Sequence, residues 1–275
     1  MSRRPVRLAR AVSCAVAAGT LLTTAACSDG GGTDAPRAQR VTAEQVAGEK
    51  RQTPSPTAAL TTEGARAALI TEADVEDDWT QVKDTEAENW NDSLPVGTVD
   101  VADFLDAKAQ AASCQRLINS LFDDDLLGRP SGASALRGFE QGDSRLLYQV
   151  ASYERTDPED SLHWMAKLPE KCDQFTVNGD GGQRTVQVVE TSLPDVGDDR
   201  EGVRVTVRGP AGGQDVTLTL DIAAVRVGDD AITVTAGGLD GGQKDSVDQA
   251  VKQGTQRLKD VLAGKTPSPN PSMFD

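Results

Sequence analysis

Histidine is nearly absent from this sequence, since His163 is the only one among 275 residues. A hydrolase triad needs a histidine base beside a nucleophile, and the chain has no G-x-S-x-G sequence that would supply one. A metal site would need more ligands than one histidine provides. His163 is expected to face solvent, and no catalytic residue, metal site or cofactor is predicted.

Aromatic residues are also few, and the chain has no net positive charge. Aromatic side chains make up 4% of the chain, which is low for a sugar-binding or peptide-binding surface. The formal net charge is −15, and such a surface repels nucleic acid phosphates and anionic lipid head groups. The glycine-rich stretches 179–182, 209–213 and 237–242 lack the lysine and the strand–loop–helix context of a phosphate-binding loop. No nucleic-acid partner is therefore expected.

No apolar run in the sequence is long enough to span a bilayer. Residues 11–22 are apolar or small, whereas a spanning helix needs about 20 apolar residues. They follow a segment, 3–10, that contains four arginines and no acid. A basic start, a short apolar run and small residues at its end describe an export signal, which we assign to residues 1–26.

Cys27 follows the small residues "TTAA" at the end of this signal. The stretch resembles the lipobox of bacterial lipoproteins, in which the cysteine thiol takes a diacylglyceryl group and becomes the first residue of the mature chain. The usual leucine or valine three positions before the cysteine is replaced here by Thr24. Plain secretion, with cleavage after Ala25 or Ala26, is the alternative. We predict that a lipid on Cys27 anchors the chain to the extracytoplasmic face of the cell membrane.

Two segments of low hydrophobicity flank the central part of the chain. Residues 27–60 are rich in Gly, Pro, Thr, Gln and charge, so they cannot bury enough apolar surface to offset chain entropy. We predict a flexible tether there, and a disordered Pro/Ser tail over 265–275. Residues 61–264 lie between them and are numerous enough for one domain with a hydrophobic core.

The central domain contains two cysteines, Cys114 and Cys172. Two cysteines in an exported domain most simply form one disulfide. A reactive thiol pair or a metal site is the rival interpretation.

Helical patterns occur at the start, in the middle and at the end of this domain. Short helices are predicted from Thr62 and after Thr71, where Asp74 three residues later completes a capping-box pattern. Another helix is predicted around Cys114. A further helix begins with Asp157 as N-cap and should end or bend at Pro169. The last predicted helix covers residues 244–264; Gly254 weakens it locally, and Gly264 is placed for its C-cap.

Strand patterns fill the remainder. "SGASALRGFEQ" and "SRLLYQVASYER" are joined at 142–144 by a turn typical of a hairpin. Four more candidates follow, namely "RTVQVVETS", "EGVRVTVRG", "DVTLTLDIAAVRVG" and "DAITVTAGG". Their alternation of β-branched and polar residues predicts a sheet with one face in water. Hairpin-length connections favour antiparallel pairing, so the fold class is α+β: an antiparallel β-sheet flanked by helices, with one disulfide.

Acidic clusters and tryptophans are the remaining candidates for a site. Asp195, Asp198, Asp199 and Glu201 cluster in one stretch, but their spacing does not match an EF-hand calcium loop. The run 123–125 stands at a predicted helix end, where carboxylates oppose the helix dipole. We interpret the first cluster as a solvated loop and the second as a helix break. Trp79, Trp90 and Trp164 are expected to be core or rim anchors.

Four features of the chain occur together: "AALITEADV", the helix with Cys114, "YERTDPEDSLHWMAKLPEKCDQF", and "AAVRVGDDAITVTAG" followed by an amphipathic helix. This combination resembles a known family, the exported actinobacterial lipoproteins and the PknH-type extracellular sensor domain of a membrane Ser/Thr kinase. The kinase sensor domain has a second disulfide, for which this chain has no cysteines. The resemblance implies an antiparallel sheet with flanking helices and a cleft for an unidentified ligand, and it carries no functional residue over.

Three functions are consistent with these patterns. The first is a non-enzymatic, membrane-anchored lipoprotein whose sensor-like domain binds a ligand or a cell-envelope protein at the cell surface. The second is a lipid or glycolipid carrier, which would need an apolar cavity. The third is an exported hydrolase, since 43 acidic residues always offer carboxylate pairs. The sequence favours the first.

Overall fold

A computed structural model describes residues 59–75, 78–96, 99–100, 108–109, 111–154, 157–179 and 181–268. The predicted signal, the lipidation candidate Cys27, nearly all of the predicted tether and the end of the tail lie outside the described residues. In the ranges given, no helix is long and apolar enough to cross a membrane.

The helices and strands follow the predicted order. The helices are α1 Thr62–Ala67, α2 Asp84–Ala87, α3 Ala112–Asn119, α4 Asp157–Ala166, α5 Leu168–Lys171 and α6 Lys244–Leu262, with a 3-10 turn at Glu72–Asp74. The strands are β1 Thr80–Gln81, β2 Pro95–Val96, β3 Val99–Asp100, β4 Lys108–Ala109, β5 Ser134–Gln141, β6 Ser144–Ser152, β7 Gln174–Gly179, β8 Gly182–Glu190, β9 Asp199–Ala211, β10 Gln214–Val227, β11 Asp230–Gly238 and β12 Gly241–Gly242.

The strands form one large antiparallel sheet. In the part of the chain that the structure describes, its ten strands run in the order β1-β5-β6-β11-β10-β9-β8-β7-β4, with β12 paired to β11. Strands β2 and β3 form a separate hairpin. Short turns at 142–143 and 228–229 join β5 to β6 and β10 to β11. The predicted α+β class with an antiparallel sheet flanked by helices is confirmed.

Helices cover the two faces of the sheet unequally. On one face, α4 packs over β9 and β10 and α5 packs over β8, while α3 packs against α5 and β4. On the other face, α1 packs over β5 and β6, and α6 packs over β10 and β11. Alternation along β10 places Leu220 and Ile222 in the first core and Ala223 and Val225 in the second.

This arrangement corrects the prediction of one wet face. Strand β8 does alternate between buried and exposed residues, as predicted. Every residue of β11 is buried, however, including the polar Thr233 and Thr235. The Thr233 hydroxyl is satisfied because it donates to Gln149 Oε1 at 3.2 Å. The central strands have helices or loops above both faces, and local periodicity does not report that cover.

The predicted disulfide is present. Cys114 in α3 is bonded to Cys172 at the end of α5, with 5.7 Å between the Cα atoms. Both cysteines are buried, with 1% of each residue exposed. The bond therefore fastens two helices that lie on the same face of the sheet.

The local helix signals are confirmed, including the predicted end of a helix near Pro169. The Thr71 and Asp74 side chains form the predicted capping box, although only a 3-10 turn follows. The helix that begins at Asp157 ends at Ala166, before Pro169, and the proline lies in the first turn of the separate helix α5. Strand β7, which begins at Gln174, was not among the predicted strands.

Gly254 has a packing role that the sequence did not indicate. A Cβ atom built there would lie 2.2 Å from the hydroxyl oxygen of Tyr148, and Tyr148 is fully buried on the sheet below. Glycine therefore lets α6 approach the sheet at this point, at the cost of helix propensity. Gly264 has φ +72 immediately beyond the C-cap residue Ala263, which confirms its predicted place at the end of the helix.

Candidate functional site

A polar cleft of about 760 Å³ opens beside the C-terminal half of α3. Its walls come from α3, from the segment that follows it, and from Asn91 in a distant loop. The lining residues are Asn91, Ala112, Gln115, Arg116, Asn119, Ser120, Asp123, Asp125 and Gly128. Most of these side chains are charged, amide or hydroxyl groups, so the cleft is suited to a hydrophilic ligand.

The backbone turn after α3 gives the cleft its wall. Phe122 has φ +55, a left-handed conformation that is uncommon for a residue other than glycine. The turn sends the Phe122 ring into the core, edge-on to Trp90 with 6.1 Å between ring centroids, while Asp123 lines the cleft. The Asn91 amide holds the same turn, because its Nδ2 donates to the carbonyl oxygens of Asn119 and Leu121 at 3.0 Å each.

Among the described residues that line the cleft, Arg116 is the only one with a basic side chain. Its guanidinium lies over the Trp164 ring, 3.9 Å from the centroid, a cation–π arrangement that orients the charge. Its Nη2 donates to Ser161 Oγ at 3.2 Å, and the Ser161 hydroxyl in turn donates to the Leu127 carbonyl at 2.8 Å. Burial of part of the guanidinium lowers the pKa of Arg116, and the charge of Asp125 partly offsets this.

Asp123 and Asp125 supply the negative charge of the cleft. Asp123 is half-buried, and one of its oxygens accepts the backbone N–H of Asp124 at 2.7 Å. Burial raises the pKa of Asp123 to about 6, and the neighbouring carboxyls of Asp124 and Asp125 contribute to the rise. The run 123–125 was interpreted from the sequence as a helix break; α3 already ends at Asn119, and two of the three aspartates line the cleft.

The raised pKa of Asp123 predicts a pH-dependent gain from Asp123→Asn. Above about pH 6 the buried carboxylate is charged and opposes folding, whereas asparagine keeps the acceptor for Asp124 without the charge. As pH falls from 6 towards the ordinary pKa of 3.8, the folded state takes up the proton first and the penalty disappears. We expect Asp123→Asn to raise the melting temperature at pH 8 and to have little effect at pH 4.

Thermal unfolding of both chains at pH 4, 6 and 8 measures this difference. Asp215→Asn is the matched control, since Asp215 is an exposed aspartate in strand β10 that does not line the cleft. A difference of the same size at every pH, or an effect of the control as large as that of Asp123→Asn, would contradict the assignment.

His163 is exposed on α4, as predicted. It lines a smaller hollow of about 360 Å³ together with Glu159, Asp160, Leu162, Ala166, Asp199 and Glu201. Burial, Asp199 and Glu190 raise the pKa of Glu201. No hydroxyl or thiol side chain is among the lining residues, so this hollow does not present the nucleophile of a triad.

Two aspartates of the acidic stretch 195–201 have partners within the domain. Asp195 pairs with Arg200 at 2.6 Å, and Asp198 accepts the backbone N–H of Gly228 at 2.6 Å. Asp199 and Glu201 lie in strand β9, so the predicted solvated loop ends earlier than expected. Within the described ranges, no group of three or more His, Cys, Asp or Glu side chains is arranged to hold a metal ion.

The three tryptophans are placed as predicted. Trp79 and Trp90 are buried in the two cores, with 2% and 3% of each residue exposed. Trp164 is half-buried at the rim of one core, beneath Arg116. The contact between Trp164 and Arg116 was not predicted from the sequence. It joins α4 to α3 across 48 positions, so no local sequence pattern marks it.

Comparisons with known proteins give a likeness of fold. No family model and no curated protein matches the chain. Among solved structures it is similar to the extracellular domain of PknH from Mycobacterium tuberculosis, with 13% identity, 76% of this chain and 100% of that chain covered, and a TM-score of 0.43. It is also similar to an uncharacterized protein from Mycobacterium smegmatis, with 17% identity, coverage of 78% and 99%, and a TM-score of 0.36. The first is the type of domain that the sequence patterns resemble.

Proposed function

We propose that the chain is a membrane-tethered extracytoplasmic lipoprotein whose sensor-like domain binds a hydrophilic ligand in the cleft beside α3. The observation that carries this proposal is the cleft itself. Its walls are fixed by the Asn91 amide, the Arg116–Trp164 stack and the buried Phe122 ring. A site whose walls are held in this way loses little freedom when it binds a ligand.

The composition of the cleft favours a polar ligand over a lipid. Acyl chains need a lining of apolar side chains, because the polar groups that they cover would lose their water without gaining a partner. Here Arg116, Asp123 and Asp125 are joined in the lining by three amides and one hydroxyl. The lipid or glycolipid carrier is therefore the weaker alternative, and the role proposed is non-enzymatic.

The tether and anchor complete the proposal. A diacylglyceryl group on Cys27 would hold the chain at the membrane, and residues 28–60, as a random coil, would span on the order of 30 Å. The domain would then lie at the extracytoplasmic surface, within reach of small solutes and of cell-envelope proteins.

Intact mass of the membrane-extracted protein tests both parts. The denatured, non-reduced chain should carry a diacylglyceryl group and lack two hydrogens for the disulfide, and Cys27→Ala should abolish the lipid mass. The native protein should carry an additional small-molecule mass that denaturation releases and that Arg116→Gln loses. An unmodified Cys27 would overturn the anchor. An acyl lipid as the released molecule would favour the carrier, and a native mass with nothing bound would favour a protein partner.

A further inference from the structure

The charged groups of the cleft are not paired with one another. Arg116, Asp123 and Asp125 all line the same space. Yet across the ranges that the structure describes, Arg116 forms no ion pair with any carboxylate. The opposite charges are close enough for Asp125 to raise the pKa of Arg116. Because they do not pair with one another, both remain available to opposite charges of one ligand.

Arg116 is built to receive an anion. Its guanidinium is fixed by the Trp164 ring and by one hydrogen bond from Nη2 to Ser161. The N–H groups of Nε and Nη1 have no acceptor in the described part of the chain. Ser161 accepts one of the two N–H bonds of Nη2. The other lies parallel to an N–H of either Nη1 or Nε, so one edge of the guanidinium still presents two parallel donors that match the two oxygens of a carboxylate. One cation–π contact and one hydroxyl do not neutralise its charge.

The acidic residues of the cleft, Asp123 and Asp125, are suited to a positively charged donor. Asp123 uses one oxygen for the Asp124 N–H, and the Asp125 carboxylate has no hydrogen-bond partner among the residues described. The Asn91 amide donates from its nitrogen to two carbonyls, which leaves its side-chain oxygen as a further acceptor. An ammonium group offers three donors and no acceptor, so it matches these acceptor oxygens.

Because the cleft carries both positive and negative charge, several classes of ligand can be excluded. A simple anion would meet Asp123 and Asp125, and a simple cation would meet Arg116; like charges in one site disfavour both. An uncharged ligand would leave three charged groups with less water and no counter-charge. We propose that the cleft binds a small zwitterion, with the carboxylate of the ligand on Arg116 and its ammonium on Asp123 and Asp125. This inference rests on the proposed function, since it names the ligand of the same cleft.

A panel of small molecules tests this assignment on the full chain in detergent. The zwitterionic probes are the free amino acids and alanyl-alanine, at millimolar concentration, with binding followed by ligand-observed NMR and then calorimetry. For the tightest binder, its N-acetyl derivative keeps only the carboxylate and its amide keeps only the ammonium. The zwitterion should bind at least about tenfold more tightly than either derivative, because charge-assisted hydrogen bonds are lost in each. A preference for the dipeptide over free amino acids would indicate a peptide end as the source.

Variants assign each charge to its side chain. Arg116→Gln should weaken the zwitterion by about tenfold or more and should leave the affinity for the amide derivative unchanged or improved. Asp123→Asn with Asp125→Asn should weaken the zwitterion and spare the N-acetyl derivative. Asp215→Asn is the control, since Asp215 is exposed and does not line the cleft. Affinity of the unaltered chain should also fall between pH 7 and pH 5, because Asp123 takes up a proton in that range.

The outcomes separate this inference from the proposed function. If the released native ligand is an uncharged or purely anionic molecule, ligand binding stands and the zwitterion assignment is overturned. If a derivative binds as tightly as its parent, or Arg116→Gln has no effect, the assignment is also overturned. If no probe binds and nothing is released from the native protein, both proposals fail.

Discussion

Replacing both Cys114 and Cys172 with serine is expected to lower the free energy of unfolding by about 4 kcal/mol. The bond closes a segment with a sequence separation of 58, and removing it restores the freedom of that segment in the unfolded chain. Each serine also places a hydroxyl where 1% of the residue is exposed, which adds to the loss. Changing both cysteines together leaves no free thiol in the domain.

Urea denaturation followed by tryptophan fluorescence measures this change. Trp90 and Trp164 report directly, since both pack in the core that contains the disulfide. Ser113→Ala is the control, because Ser113 precedes Cys114 in α3 and is only half-buried. An unchanged denaturation midpoint in the double variant would show that the bond does not stabilise the fold.

Asp74→Ala is expected to cost about 3–5 kcal/mol, since it leaves a buried positive charge without its counter-charge. Asp74 is completely buried, and its Oδ2 lies 3.2 Å from Arg257 Nη1. The same oxygen accepts hydrogen bonds from the backbone N–H and the hydroxyl of Thr71, both at 2.8 Å. Arg257 is 9% exposed and also donates to the carbonyl of Ala67 at 3.2 Å. Removing Asp74 therefore strands the guanidinium and opens the capping box at once.

A double variant separates the ion pair from packing. Asp74→Ala combined with Arg257→Met removes both charges, and it should recover part of the stability that Asp74→Ala loses, because the stranded charge is gone. Asp195→Ala is the control for loss of an ion pair at the surface, where the Asp195 side chain is 95% exposed; it should cost under about 1 kcal/mol. Equal losses from Asp74→Ala and Asp195→Ala would refute a buried, energetically important pair.

Features set by neighbouring residues were predictable from the sequence. The capping box of Thr71 and Asp74, the turn at 142–143 and the helix end at Gly264 all depend on residues within a few positions. Each is found where the pattern placed it. The disulfide was also predictable, because the domain holds only two cysteines and an exported chain favours their pairing.

Features that depend on residues far apart in the chain were not predictable from the sequence. Strand β7 was missed because it follows a helix directly and gains its identity from β8 beside it. The burial of both faces of β11 depends on helices that are far away in the chain. The cleft depends on a left-handed Phe122, where no glycine marks the turn, and on Asn91 and Trp164 from other segments. Residue type alone gave no sign that these groups meet.

Besides its ion pair with Asp74, Arg257 makes two hydrogen bonds that connect the two ends of the domain. Arg257 donates to the carbonyl of Ala67 near the entry of the chain and to that of Ser268 near its exit. Leu60 belongs to the core on this same face of the sheet, whereas the walls of the cleft pack on the opposite face. A pull on either end of the domain would therefore act first on contacts at this face, and the walls of the cleft lie on the other.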